Sequence, residues 1–100
     1  MQYDLLQRWH DIHSASPAEQ IRLFRTFAGE SLRRYRKGEI TVGRLGDCIA
    51  PMYDSPVLMR SANGSMLYQT AELMRSGSYE SSEELDASVE DLTDLLEREL

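Results

Sequence analysis

One cysteine, three prolines and two histidines stand in 100 residues, and each scarcity removes a class of protein. A lone thiol closes no internal disulfide, so Cys48 reads as a reduced core thiol, with the cytoplasm as the expected location. Reactivity at Cys48 needs a neighbouring base or cation, and the sequence places none beside it. No segment approaches the roughly 18 uninterrupted apolar residues of a membrane span. The opening "MQYDLLQRWHDIH" lacks the basic-then-apolar order of a signal peptide, so no membrane is expected as a partner. His10 and His13 are spaced i, i+3 and could face one metal, but no second Cys or His partner exists elsewhere. They read as two surface or boundary imidazoles, and no metal is expected.

Catalytic signatures are missing as well. There is no P-loop, no G-x-G-x-x-G fingerprint and no nucleophile elbow. Cysteine catalysis needs Cys48 beside His10 or His13 in space, and nothing local demands that. No carboxylate pair sits in an apolar setting that raises one member's pKa. The expectation is a protein that is not an enzyme and holds no cofactor.

What is present is helical. Hydrophobic residues make up 41% and charged residues 28% of the chain, a globular balance that fits one domain over residues 1–100. Leu5, Leu6, Trp9 and Ile12 (or His13) form an apolar stripe on a helix from about Tyr3 to His13. Ser16 can cap a second helix from Pro17 to Lys37, with Glu19 completing a capping box and Gly38 ending it. Ile21, Phe24, Ala28, Leu32 and Tyr35 line its apolar face. Thr41 caps a third helix that buries Val42, Leu45, Ile49 and Met52 and that Pro51 kinks or ends near Ala50. Gly43 and Gly46 weaken this helix by about 1 kcal/mol each relative to alanine, yet allow another helix to approach closely. The run "YDSPVLMRSANGS" reads as a loop with one helical turn at Val57 to Ser61. A fourth helix is expected from about Ser65 to Ser76, burying Met66 or Leu67, Thr70, Leu73 and Met74, and stopped by Gly77. Ser81 and Glu84 form a second capping box, after which Leu85, Val89, Leu92 and Leu96 make a narrow seam. No stretch alternates long enough to be a strand. The fold class is all-α, an antiparallel up-and-down bundle of four to five helices.

Charge is distributed unevenly. The net charge is −6, but residues 1–45 hold eight basic and five acidic groups, and residues 46–100 hold three basic and twelve acidic ones. From Glu80 to Leu100 there are nine carboxylates and one cation, Arg98. Asp86 with Glu90, and Glu90 with Asp94, are like charges at i, i+4, each destabilising a helix by a few tenths of a kcal/mol. Glu97 and Glu99 stand at the end of the helix dipole that disfavours them. A helix that carries this repulsion is suited to a cationic partner, and the acidic half repels nucleic acid at long range. The opposing feature is "RRYRKG", in which Arg33, Arg34, Arg36 and Lys37 could touch phosphates. Those cations also suit the end of a helix, and the sequence pI of about 4.8 is far from a basic footprint.

The run "YRKGEITVGRLGDCI" resembles a motif of the colicin D immunity protein family and its relatives among bacterial self-protection proteins: a helix, a short turn with Ile-Thr, then a helix with a bulky apolar residue where Leu45 stands. "MLYQTAELM" resembles the family's third helix with its internal Ala-Glu, and "SSEELDASVEDLTDLL" its last helix, with Leu85 and Val89 at the recurring apolar positions. The resemblance spans about Phe27 to Leu96. Gly43, Gly46 and an extra N-terminal helix depart from the pattern. The resemblance implies a compact antiparallel helical bundle that inhibits a bacterial ribonuclease toxin, typically one that cleaves tRNA, as a stoichiometric partner. The expected toxin-binding residues are Glu72, matched to the third-helix pattern, and Glu83, Glu84, Asp86, Glu90, Asp91 and Asp94 on the last helix. The expected partner is a basic nuclease toxin domain, with no direct nucleic-acid contact, the chain itself being a monomer or weak homodimer. The alternative is a small helical adaptor or regulatory protein that self-associates through the Leu85–Leu96 seam or touches nucleic acid through Arg33, Arg34, Arg36 and Lys37.

Overall fold

The computed structural model describes residues 2–77 and 81–97, with side chains at those positions other than 2–4 and 82. Among the described residues there are six α-helices and no strand. They are α1 (Gln2–Ser14), α2 (Pro17–Arg36), α3 (Val42–Ile49), α4 (Pro56–Arg60), α5 (Gly64–Ser76) and α6 (Ser82–Glu97). A 3-10 segment, Ala50–Asp54, joins α3 to α4. The chain is therefore all-helical. The count passes four or five because the turn expected within the stretch read as a loop stands as a helix of its own, α4. Pro51 has no N–H to give the carbonyl of Asp47, so the α-helix tightens into 3-10 geometry at Ala50. The single turn expected near Val57 is α4, capped by Ser55, whose hydroxyl accepts from the Leu58 N–H at 3.2 Å.

Helix ends follow local chemistry, with one exception. Thr41 accepts from the Arg44 N–H at 3.1 Å and Ser81 from the Glu84 N–H at 3.2 Å, as side-chain caps do. Gly38 has φ +76°; its N–H donates to the Tyr35 carbonyl, and the Glu39 N–H donates to that of Arg34, which closes α2 in a Schellman motif. The exception is the capping box at Ser16. Pro17 occupies the first position of α2, but the Ser16 side chain makes no cap bond. Glu19 turns to Arg22 on its own helix instead, in a fork of two hydrogen bonds.

The core gathers Trp9 and Ile12 from α1, Phe24, Phe27 and Leu32 from α2, Leu45 and Ile49 from α3, Leu67 and Met74 from α5, and Val89, Leu92 and Leu95 from α6. The most extensive helix pair is α3 with α5. Its cause is Gly46: a Cβ there would stand 2.6 Å from the Ala71 carbonyl oxygen and 2.7 Å from the Arg75 nitrogen. Only glycine permits this approach. Gly43 plays no such part, since the nearest atom to a Cβ there is 3.9 Å away in Thr41.

This contact also corrects the expected buried face of α5. Backbone proximity demands a small residue, so Ala71 turns to α3, and Gly64, Leu67, Ala71 and Met74 form the buried stripe. Leu73 then lies off the stripe at 43% exposure and Met66 at 57%, while Thr70 is half-buried. In α1, Trp9 and Ile12 are buried, but Leu6 is 72% exposed. Trp9 packs on Phe24 and, edge to face, on Phe27, with ring centroids 5.9 and 6.0 Å away. Its indole N–H donates to the carbonyl of Cys48 at 2.8 Å. In the 3-10 pattern the donor for that carbonyl belongs to residue 51, which is proline, so Trp9 supplies what Pro51 lacks.

Two glycine substitutions separate these roles. Gly46→Ala is expected to lower unfolding free energy by about 1–3 kcal/mol, the cost of overpacking a tight contact. Gly43→Ala, in open helical space, is expected to raise it by up to about 1 kcal/mol. Urea denaturation of both variants reads the difference; equal and opposite results in the reverse sense would sink the assignment of the contact to Gly46.

Candidate functional site: the acidic face of α6

The apolar seam of α6 is wider than four residues. Val89, Leu92 and Leu95 are buried, Leu85 and Leu96 half-buried, and Ser88 joins them. This strip packs on α5 and on α2. At about 100° per residue, every carboxylate of the helix falls outside the strip. Glu83, Glu84, Asp86, Glu90, Asp91, Asp94 and Glu97 are all exposed. Asp86, Glu90, Asp94 and Glu97 run along the centre of the free face, spaced by four, four and three. Glu99 and Arg98 lie outside the described residues.

The ion pairs among the described residues are Arg8–Glu30, Arg22–Glu19, Arg75–Asp47 and Arg75–Glu72. None of them uses Glu83, Asp86, Glu90, Asp91 or Asp94. The cation-bearing end of α2 does not neutralise the row: Arg36 Nη2 donates to the Thr93 hydroxyl at 2.8 Å, not to a carboxylate. Glu83 and Glu84 sit in the first turn, where the helix dipole favours them. The rest of the row has no such compensation.

Six of the seven expected binding residues thus share one helix, and the seventh does not join them. Glu72 is half-buried on α5 and accepts from Arg75 Nη1 at 3.2 Å. Arg75 Nε also lies 3.7 Å from Asp47 of α3. Glu72 therefore stands on the flank of α5 turned to α3, about 160° around the helix from Thr70, which faces α6.

Sequence reading missed the apolar part of the site. Asp91 and Asp94 border a shallow cavity of about 190 Å³ between α5 and α6 that is also lined by Met66, Thr70 and Leu95. Its chemistry suits a long cationic side chain: the aliphatic stem of a lysine or arginine lies on Met66 and Leu95 while its charge meets the two carboxylates. The signal for Met66 was the choice between residues 66 and 67 as the buried one; Gly46 settles it.

The "RRYRKG" cations do not form one face. Arg33, Arg34, Arg36 and Lys37 are all exposed but ring the end of α2. Arg36 turns to α6, and Arg34 lines a cleft on the opposite flank with Arg44. His10 and His13 are both exposed, the latter with its ring 5.3 Å from Trp9. Among the described residues no group of three or more metal-ligating side chains assembles. Cys48 is buried; burial pushes its thiol pKa up, against smaller downward pulls from a Ser31 hydrogen bond and from Arg44 and Arg34.

No family model matches the chain, and no curated protein or solved structure does.

Two outcomes follow from these environments. Glu90 repels both Asp86 and Asp94, so Glu90→Gln is expected to raise stability by about 0.4–1 kcal/mol at low salt, a gain that shrinks as salt is added. Chemical denaturation at two ionic strengths measures it. Cys48 has a raised folded-state pKa, so its contribution to stability is complete below the thiol's ordinary range and is lost as pH rises through the folded value. Alkaline unfolding curves of the native chain and Cys48→Ala are expected to converge as pH rises; parallel curves would contradict the burial of the neutral thiol.

Proposed function

We propose that this chain is an immunity protein that binds a basic bacterial ribonuclease toxin of the tRNA-cleaving type and inhibits it. The observation that carries the reading is the row of carboxylates on α6, exposed on one side of a helix whose other side is held in the core. A nuclease cleft is lined with cations that meet phosphates. A rigid helix with carboxylates at three- and four-residue spacing offers such a cleft a substitute for its substrate's charge. The cavity between Met66, Asp91, Asp94 and Leu95 is the place where one cationic side chain of the toxin docks most deeply. Glu83, Glu84, Asp86 and Glu90 act through the field around it, which speeds encounter. The resemblance of "YRKGEITVGRLGDCI" and "SSEELDASVEDLTDLL" to the colicin D immunity family supports the same reading, including an antiparallel bundle and a cytoplasmic site of action. Glu72 has a smaller part, since Arg75 already engages it.

Self-association through the Leu85–Leu96 seam has less support, because Val89 and Leu92 are committed to the core of the same chain. The inhibition reading is tested against purified basic nuclease domains of the tRNA-cleaving type. The expected result is a one-to-one complex, loss of tRNA cleavage, and affinity that falls as salt rises. Asp91→Asn with Asp94→Asn is expected to weaken binding by about tenfold or more, mainly through faster dissociation, while Asp86→Asn with Glu90→Gln mainly slows association. An inhibitory complex that is indifferent to all four changes removes α6 from the mechanism.

A further inference from the structure

A second site lies on the flank of α2 turned away from α6. Here α1, the end of α2 and the start of α3 enclose a cleft of about 220 Å³. Its apolar surface comes from Leu5, Phe27 and Ile40, and the buried Cys48 contributes as well. Two arginines, Arg34 of α2 and Arg44 of α3, also line it. Neither makes an ion pair among the described residues, although Arg8, Arg22 and Arg75 all do. Asp47, which borders an adjoining hollow with Leu5, Leu6 and Arg44, is paired to Arg75.

The placement of Arg44 is unfavourable for the fold alone. It occupies the third position of α3, in a first turn that carries no acid, where the helix dipole disfavours a cation. Among the described residues, Glu39 is the one carboxylate lining the cleft. Among the described lining residues, two guanidiniums and one carboxylate leave a single positive charge over an apolar surface. That balance fits a monoanion with a hydrocarbon tail. A guanidinium binds a carboxylate through two parallel N–H···O bonds, and apolar walls favour burial of the tail.

We infer that this cleft binds a small monocarboxylate with an aliphatic tail, the carboxylate held between Arg34 and Arg44 and the tail laid on Leu5, Phe27 and Ile40. The cavity is below the roughly 300–1,000 Å³ of drug-sized sites, so the tail is short. The exposed Leu6 stands at the adjoining hollow, where a longer tail would emerge. This site is separate from α6 and does not depend on the inhibition reading.

Titration of the isotopically labelled chain with octanoate, octanol and acetate tests it. Octanoate is expected to shift the amide resonances of Ile40, Arg44 and Cys48 while leaving those of α6 in place. Octanol, without the charge, and acetate, without the tail, are expected to bind about tenfold more weakly or worse. Arg34→Gln with Arg44→Gln is expected to weaken octanoate binding by a similar factor, and Arg33→Gln with Lys37→Gln to leave it unchanged. Octanol binding as well as octanoate overturns the proposal, as does octanoate binding that survives loss of both cleft arginines. If the double variant does not fold, the comparison of the three compounds on the native chain decides the matter.

Discussion

The approach of α5 to α3 at Gly46 is the constraint on which the bundle rests. A hydrogen in place of a side chain brings the backbones of residues 46, 71 and 75 into contact, and that contact fixes how α5 is rotated. Rotation decides which residues of α5 remain for α6. Leu67, Ala71 and Met74 go inward; Thr70 and Met66 are left on the flank that α6 covers in part. The last helix docks on that flank with its apolar strip, so its carboxylates are held outward by packing that begins with one glycine in another helix. Position and charge of the candidate site therefore have different origins. The charge is local to α6, whereas its presentation is a tertiary property.

That separation explains why so acidic a helix is tolerated. Repulsion along α6 amounts to a few tenths of a kcal/mol per pair, whereas burial of a leucine-sized side chain supplies about 1.5–3 kcal/mol. Three buried side chains, Val89, Leu92 and Leu95, outweigh the like-charge row. The arginines that form ion pairs among the described residues form them on other helices. Arg8 and Arg75 tie helices together through Glu30 and Asp47, Arg22 supports its own helix, and Arg36 reaches α6 only through a hydroxyl. The two arginines at the α1–α3 cleft make no ion pair among the described residues, Glu39 standing beside them in the lining and Asp47 being turned to Arg75.

The sequence made the helices legible wherever a local signal exists. Pro17, Thr41, Gly38, Gly77 and Ser81 each act within a few residues of themselves, and each marks a boundary found in the fold. The exposed acids of α6 were equally legible, because a strip of apolar residues at three- and four-residue spacing leaves only one place for the rest. What escaped depends on contacts between segments far apart in the chain. Ser16 forgoes its cap while Glu19 finds Arg22. Leu73 looked like core by spacing, yet the demand for a small residue opposite Gly46 turned it outward. Glu72 groups with the α6 acids by its charge, and the fold sets it apart by turning it to Arg75 on the flank facing α3. The cleft of Arg34 and Arg44 escaped for the same reason: its walls come from three helices.

Trp9 joins several of these features at one point. It is the single tryptophan of the chain, buried among phenylalanines, anchored to the α3 terminus and close to the His13 ring at its outer edge. Phe27, on which it packs edge-on, also lines the arginine cleft. The molecule thus carries a native optical probe at the junction of its first three helices. Its emission is placed to register detachment of α1 and the settling of a molecule against Phe27, without a label having to be introduced.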